Sequence, residues 1–151
     1  MHIYVDADAI PITVREILFR AAERTQIPLV LVANVQIKIP QSSLISSIVV
    51  QAGPDEADHK IAEMAEAGDL VITADIPLAA RVIEKGGSVI DYRGAMYSTA
   101  NIKERLTMRN LMEDLRNSGI DTGGPAPFSL KDRKSFASQL DRLLTTHATG
   151  R

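Results

Sequence analysis

The sequence predicts an α/β protein, a three-layer α/β/α sandwich with a mainly parallel sheet of four or five strands. Short apolar runs alternate along the chain with helical patterns, as in right-handed βαβ units. Several runs are apolar at consecutive positions, which is typical of parallel strands covered by helices on both faces. A chain of 151 residues has the length of one domain. We therefore predict a single domain over residues 1–151.

The first half of the chain predicts three strands, with the first strand at the centre of the sheet. The run Ile3-Tyr4-Val5 is followed by two acidic residues, and Asn34 ends the second run. Residues 36–47 have mostly the composition of a loop. The predicted strands are residues 3–5, 29–33 and 48–50, and the predicted helices are residues 11–24 and 55–67.

In the second half, residues 70–74 form the clearest strand of the chain. A glycine- and proline-rich segment from Gly119 to Pro127 separates two C-terminal helices. Ser129 and Asp132 have the spacing that caps the last helix. We expect the C-terminal helices, from about residue 99, to pack on or beside the sheet. The other predicted elements are a helix from residue 76 to the glycines at 86 and 87, a strand at 88–90, a helix at 99–118 and the last helix from residue 129.

Composition narrows the possible functions. With 45% hydrophobic residues, 24% charged residues and a net charge of -2, a nucleic-acid partner would need a local basic patch. The chain has no cysteine, which excludes disulfides, thiolate nucleophiles and thiolate zinc sites. No signal-peptide pattern is present, and no apolar run approaches the ~20 residues of a membrane span. We expect a cytoplasmic protein without a membrane partner.

Aspartates gather at the predicted carboxyl edge of the sheet. Asp6, Asp75 and Asp91 each follow a strand, and Asp58 shares the buried face of the helix before the fourth strand. Parallel strands end at one edge, so these carboxylates should converge there. Hard oxygen ligands without cysteine or paired histidines suit Mg²⁺ or Mn²⁺. The predicted metal ligands are Asp6, Asp8, Asp58, Asp75 and Asp91.

Single aspartates also have simpler explanations. Asp75 has the position of an N-cap, and Asp55 suits the first turn of a helix. Capping does not explain the pair of Asp6 and Asp8, or an inward-facing Asp58. The aspartates as a group therefore favour a metal site.

Basic and polar residues near the same edge are candidates for positioning a phosphate backbone. Asn34 ends the second strand there, and Arg105 and Arg109 recur at helical spacing. A solvated helix face is the alternative interpretation of these arginines. Stacking on bases would depend on Tyr92 or Tyr97. The predicted positioning residues are Asn34, Arg93, Arg105 and Arg109.

Three segments carry a resemblance to a known family. They are Val5-Asp6-Ala7-Asp8-Ala9, Gly68-Asp69-Leu70-Val71-Ile72-Thr73-Ala74-Asp75-Ile76-Pro77-Leu78-Ala79, and Gly123-Gly124-Pro125. Over nearly the whole chain, the sequence resembles the YaiI/YqxD family of uncharacterised bacterial proteins. That family looks like a branch of the PIN-like nuclease fold, which implies Mg²⁺ or Mn²⁺ and cleavage of phosphodiesters, commonly in RNA. By position, the resemblance implies a catalytic acidic site of Asp6, Asp58 and Asp75.

Three functions follow as hypotheses. The first is a metal-dependent nuclease that acts on RNA or another phosphodiester. The second is a phosphatase of the haloacid-dehalogenase type with Asp6 as nucleophile and Asp8 as general acid. Against it, Ile10 stands where that family usually has Thr, and Asp69 precedes its strand. The third is a PIN-like module that binds RNA or a protein without cutting it.

Overall fold

In a computed structural model, the chain forms one six-stranded sheet with helices on both faces. The structure describes residues 1–53, 55–124 and 126–150, so Pro54, the proline of the Gly123-Gly124-Pro125 segment and Arg151 lie outside the described residues. The strands are β1 (Ile3–Asp6), β2 (Leu29–Ala33), β3 (Ile45–Val49), β4 (Leu70–Ile72), β5 (Ser88–Ile90) and β6 (Met96–Tyr97). The helices are α1 (Ile12–Thr25), α2 (Glu56–Met64), α3 (Ile76–Glu84), α4 (Ile102–Asn117) and α5 (Leu130–Gly150).

The strand order is β3-β2-β1-β4-β5-β6. Strands β1 to β5 pair in parallel and β6 is antiparallel to β5. β1 therefore lies inside the sheet, between β2 and β4, as predicted. From β1 the chain continues to β2 on one side and later to β4 on the other. In such sheets the crevice beyond the carboxyl ends at this reversal is the usual place for a ligand.

Side chains of opposite strand faces form two separate cores. Ile3 and Val5 of β1 face α1 and α5, where Phe136 and Leu140 are buried. Tyr4, pointing the other way, belongs to the core that α2 and α3 cover. This alternation produces three layers, and it confirms the predicted α/β/α architecture, which is consistent with a PIN-like fold.

The two C-terminal helices lie on opposite sides of the sheet. α4 packs against α3, and α5 packs against α1. The predicted cap of α5 is present, because Ser129 Oγ accepts the backbone N–H of Asp132 at 3.2 Å and Asp132 Oδ2 accepts that of Ser129 at 3.0 Å. Within the described residues, no helix has both the length and the apolarity needed to cross a membrane.

The bounds predicted for β3 and α2 were each wrong by three residues at one end. β3 begins at Ile45, three residues early, because Ser46 and Ser47 of this edge strand have the composition of a loop but pair with β2. α2 ends at Met64, three residues before the predicted end. Beyond it, the backbone N–H of Glu66 donates to the carboxylate of Asp69 and not to a carbonyl oxygen of the helix. The sixth strand, β6, was not predicted. It follows a turn at Gly94, which has φ +89°. With two residues, β6 is too short to produce a strand pattern in the sequence.

Candidate functional site

A buried threonine joins the ends of β1 and β4. Thr73, which follows β4 and is 0% exposed, donates its hydroxyl hydrogen to Asp6 Oδ2 at 3.0 Å. The same hydroxyl oxygen accepts the backbone N–H of Asp75 at 3.0 Å. The hydroxyl acts as donor and as acceptor at once, so it fixes the position of the Asp6 carboxylate relative to the start of α3. Sequence reasoning missed Thr73.

Three carboxylates form the acidic cluster, defined here as Asp55, Asp58 and Asp75. One oxygen from each lies within 4.8 Å of the others. Asp75 also caps α3, because its Oδ1 accepts the backbone N–H of Leu78 at 2.8 Å. A carboxylate has a second oxygen, so both predicted roles of Asp75 are compatible.

Asp55 was considered only as a helix-capping residue, and it does occupy the N-cap position of α2. Its side chain makes no capping hydrogen bond. Its φ of 67° is a left-handed conformation that aspartate tolerates better than most residues. Asp55 and Asp58 are three residues apart at the start of a helix. This spacing was the sequence signal for their proximity.

Burial and neighbouring carboxylates raise the pKa of Asp58 and of Asp6. Burial, a hydrogen bond with Asp75 and the charges of Asp75, Asp6 and Asp55 raise the pKa of Asp58 to about 8. Burial raises the pKa of Asp6, and the charges of Asp8 and Asp75 add to the rise against the hydrogen bond from Thr73. Burial and the neighbouring charges therefore favour the protonated form of Asp58 when no cation is bound, and a cation would compete with that proton.

Three predicted ligands, Asp6, Asp8 and Asp91, lie outside the acidic cluster. Asp8 Oδ1 accepts the backbone N–H of Asn34 at 2.7 Å, which ties the end of β1 to that of β2. Asp91 Oδ1 accepts the backbone N–H groups of Arg93 and Ala95, each at 2.9 Å. Asp91 thus holds the turn between β5 and β6. Asn34 lies at the same edge of the sheet, and the group that contacts Asp8 is its backbone N–H.

The three predicted arginines have different surroundings. Arg93 donates to Asp132 at 2.7 Å and to the carbonyl oxygen of Ala126, so both partners belong to the C-terminal segment. The guanidinium of Arg105 lies 4.8 Å from the centre of the Tyr97 ring. Tyr97 is only 4% exposed, which removes it as a platform for bases. Arg109 lines the cleft of the acidic cluster.

The acidic cluster opens into a cleft of about 200 Å³. Arg81 of α3 and Arg109 of α4 both line this cleft. Arg81 Nη1 lies 3.2 Å from Nδ1 of His59. A guanidinium can only donate, so this hydrogen bond requires an unprotonated Nδ1 on His59. Helix packing brings these two residues together, and no local sequence pattern predicted them. The lining residues are Asp55, Asp58, His59, Asp75, Pro77, Leu78, Arg81 and Arg109.

A larger cavity, of about 700 Å³, lies at the opposite edge of the sheet, between the end of α1 and α5. Among the described residues that line it, the one carboxylate is that of Asp141, which is paired with Arg24 at 3.4 Å. Asp69, which precedes β4, lies at that edge as well and accepts the backbone N–H of His2 at 2.9 Å. The carboxylates that lie close enough together to share a cation therefore line the smaller cleft.

Sequence comparison shows the family of the chain. A family model described as an uncharacterised bacterial family, YaiI/YqxD, matches residues 4–146. The chain belongs to the YaiI/YqxD family. A UPF0178 protein of Bordetella avium is 59% identical over 148 residues, 98% of this chain and 96% of the relative. One from Burkholderia ambifaria is 56% identical over 147 residues, 97% of this chain and 98% of the relative. No solved structure matches the chain significantly.

Proposed function

We propose that this YaiI/YqxD protein is a divalent-metal-dependent nuclease that hydrolyses phosphodiesters, with RNA as its substrate. The observation that carries the proposal is the convergence of Asp55, Asp58 and Asp75 beside Asp6, in a cleft that also presents Arg81 and Arg109. Carboxylates alone would repel a nucleic acid. Carboxylates with a bound cation and two guanidinium groups are suited to a phosphodiester.

The acidic cluster fits Mg²⁺ or Mn²⁺. All its donors are carboxylate oxygens, the ligands that these cations prefer. Opposite ligands of Mg²⁺ lie about 4.2 Å apart at its usual bond lengths, close to the 4.8 Å that bounds the cluster. Asp55, Asp58 and Asp75 would hold the ion, and Asp6 would act beside them. When bound, the ion lowers the pKa of a water nucleophile and stabilises charge on the leaving oxygen.

The protein's own groups would position the substrate. Arg81 and Arg109 can each donate several hydrogen bonds to non-bridging phosphate oxygens. Hydrogen bonding to His59 holds Arg81 at the cleft. The hydrogen bond from Thr73 keeps the Asp6 carboxylate in place. These residues orient the phosphodiester and balance its charge.

Cleavage of labelled single-stranded RNA with Mn²⁺ tests the proposal. Asp6→Asn, Asp58→Asn and Asp75→Asn should each lower the rate by orders of magnitude, because Asp58 and Asp75 would hold the cation and Asp6 would act beside it. Asp114→Asn, at an exposed position of α4, is the matched control and should cut normally. Cleavage that survives Asp58→Asn would refute the proposal, and metal binding without any cleavage would favour the non-catalytic module.

The phosphatase alternative has less support. Its general acid would be Asp8, but Asp8 Oδ1 binds the backbone of Asn34. Asp69 lies at the opposite edge of the sheet, bonded to His2. A covalent aspartyl-phosphate on Asp6, detected by mass spectrometry with a small phosphomonoester, would reverse this preference.

A further inference from the structure

A second cleft, of about 320 Å³, lies between the start of α3 and α4. We call it the α4 groove. α4 packs on α3 but buries none of its own residues fully. Met108 is 51% exposed and Met112 is 37% exposed, so two large apolar side chains face solvent in this groove. The residues that define the α4 groove are Ile76, Arg105, Met108, Arg109, Met112 and Arg116.

Three arginines accompany the apolar floor of the groove. Arg105, Arg109 and Arg116 occupy positions i, i+4 and i+11 of α4, which fall on one face of the helix. They span about 17 Å along the helix axis at the usual rise per residue. Stacking on Tyr97 holds Arg105. A line of positive charge beside apolar surface complements a strand whose backbone is anionic and whose bases are apolar on their faces.

The groove continues from the acidic cleft. Arg109 lines both, and Ile76 directly follows Asp75 of the acidic cluster. A strand whose scissile phosphate lies at the cluster could thus continue over α4 without a gap. We propose that the α4 groove binds the nucleotides of a single-stranded RNA that flank the cleaved bond. This inference rests on the proposed function, and it adds the binding surface and the single-stranded character of the substrate.

The apolar floor favours a single strand over a duplex. In a duplex the base faces are stacked inside, so Met108 and Met112 would meet only sugar and phosphate. In a single strand the base faces are available to apolar side chains. The arginines alone would bind either form.

One acidic residue opposes this binding in the free protein. Glu113 forms an i,i+4 ion pair with Arg109. A phosphate must compete with this carboxylate for the guanidinium. Removal of the Glu113 charge should therefore strengthen RNA binding, whereas removal of an arginine should weaken it.

Fluorescence anisotropy with a labelled ten-nucleotide oligouridine in EDTA tests the inference without cleavage. Arg105→Gln and Arg116→Gln should each weaken binding several-fold and reduce the salt slope by about 0.7 for each phosphate that is no longer neutralised. Met112→Glu should weaken binding further, and Glu113→Gln should strengthen it. Arg142→Gln, an exposed arginine of α5, is the control for charge loss and should bind like wild type.

The outcomes separate the two proposals. Equal affinity of wild type, Arg116→Gln and Glu113→Gln would overturn the groove proposal even if the protein cleaves RNA. The expected shifts in affinity, without cleavage in Mn²⁺, would support the groove and refute the nuclease. An RNA duplex bound as tightly as the single strand, or no binding of the oligouridine, would also overturn the groove proposal. Thermal melts of every variant exclude unfolding as the cause.

Discussion

The hydroxyl of Thr73 lies 3.0 Å from Asp6 Oδ2, so the last residue of β1 is bonded directly to the residue that follows β4. Because the hydroxyl oxygen also accepts the N–H of Asp75, one buried side chain connects the Asp6 carboxylate with the capped start of α3. This link relates the acidic cluster to the centre of the sheet. Its removal should affect stability as well as the site.

Thr73→Val should destabilise the protein by about 1–3 kcal/mol, because it leaves the partly buried N–H of Asp75 without its partner. It should also weaken metal binding, since Asp6 loses the hydrogen bond that orients it and lowers its pKa. Urea unfolding and a metal titration measure the two effects. Thr73→Ser keeps the hydroxyl and is the control. A Val variant as stable as the Ser variant would contradict the assigned role.

Asp58 predicts a pH dependence of stability in the metal-free protein. Its pKa is raised to about 8 in the folded state, whereas the unfolded carboxyl titrates near 3.9. The folded state therefore binds more protons between these values, so this contribution to stability is present below about pH 4 and is lost as the pH rises through about 8. Thermal melts in EDTA from pH 5 to 9 should show the loss. Asp58→Asn should flatten it, while Asp114→Asn should not.

The effect of Mg²⁺ on the melting temperature should have the opposite pH dependence. The cation competes with the proton on Asp58, so its affinity rises as the pH approaches 8. The increment follows the ratio of free metal to Kd and should grow from pH 6 to pH 8.5. An increment that is constant over this range would show that Asp58 does not bind the cation.

Two substitutions separate the helix-capping role of Asp75 from its metal-binding role. Asp75→Asn keeps an oxygen that can accept the N–H of Leu78 and removes a repulsive charge, so the metal-free melting temperature should stay equal or rise. Its metal increment should shrink. Asp75→Ala loses the cap as well and should cost about 1 kcal/mol. Strong destabilisation by Asn, with no metal response in wild type, would leave only the capping role.

Local patterns predicted the fold because its central strands are continuous apolar runs that end in polar residues. The same rule brought Asp6 and Asp75 to one edge, and helical spacing turned Asp58 toward it. Side chains that meet through helix packing were beyond such patterns. Arg81 and His59 are 22 residues apart in the chain, and the partner of Arg93 lies 39 residues away. Edge strands such as β3 were also poorly predicted, because few of their side chains are buried.

Arg93 and Arg109 should respond differently to the same substitution. The guanidinium of Arg93 holds Asp132 and Ala126 and lies 6.0 Å from the centre of the Phe128 ring, so it anchors the start of α5. Arg109 lines the cleft and the groove. Arg93→Gln should lower the melting temperature and leave the salt slope of RNA binding unchanged. Arg109→Gln should lower the salt slope and change the melting temperature little.

A double-mutant cycle gives the Arg93 assignment a second readout. Arg93→Gln and Asp132→Asn remove the two partners of one ion pair, whose side chains are 33% and 22% exposed. The two substitutions should therefore destabilise together by less than the sum of their separate effects. Additive effects, or a lower salt slope for Arg93→Gln with an unchanged melting temperature, would return Arg93 to the phosphate-positioning role predicted from the sequence.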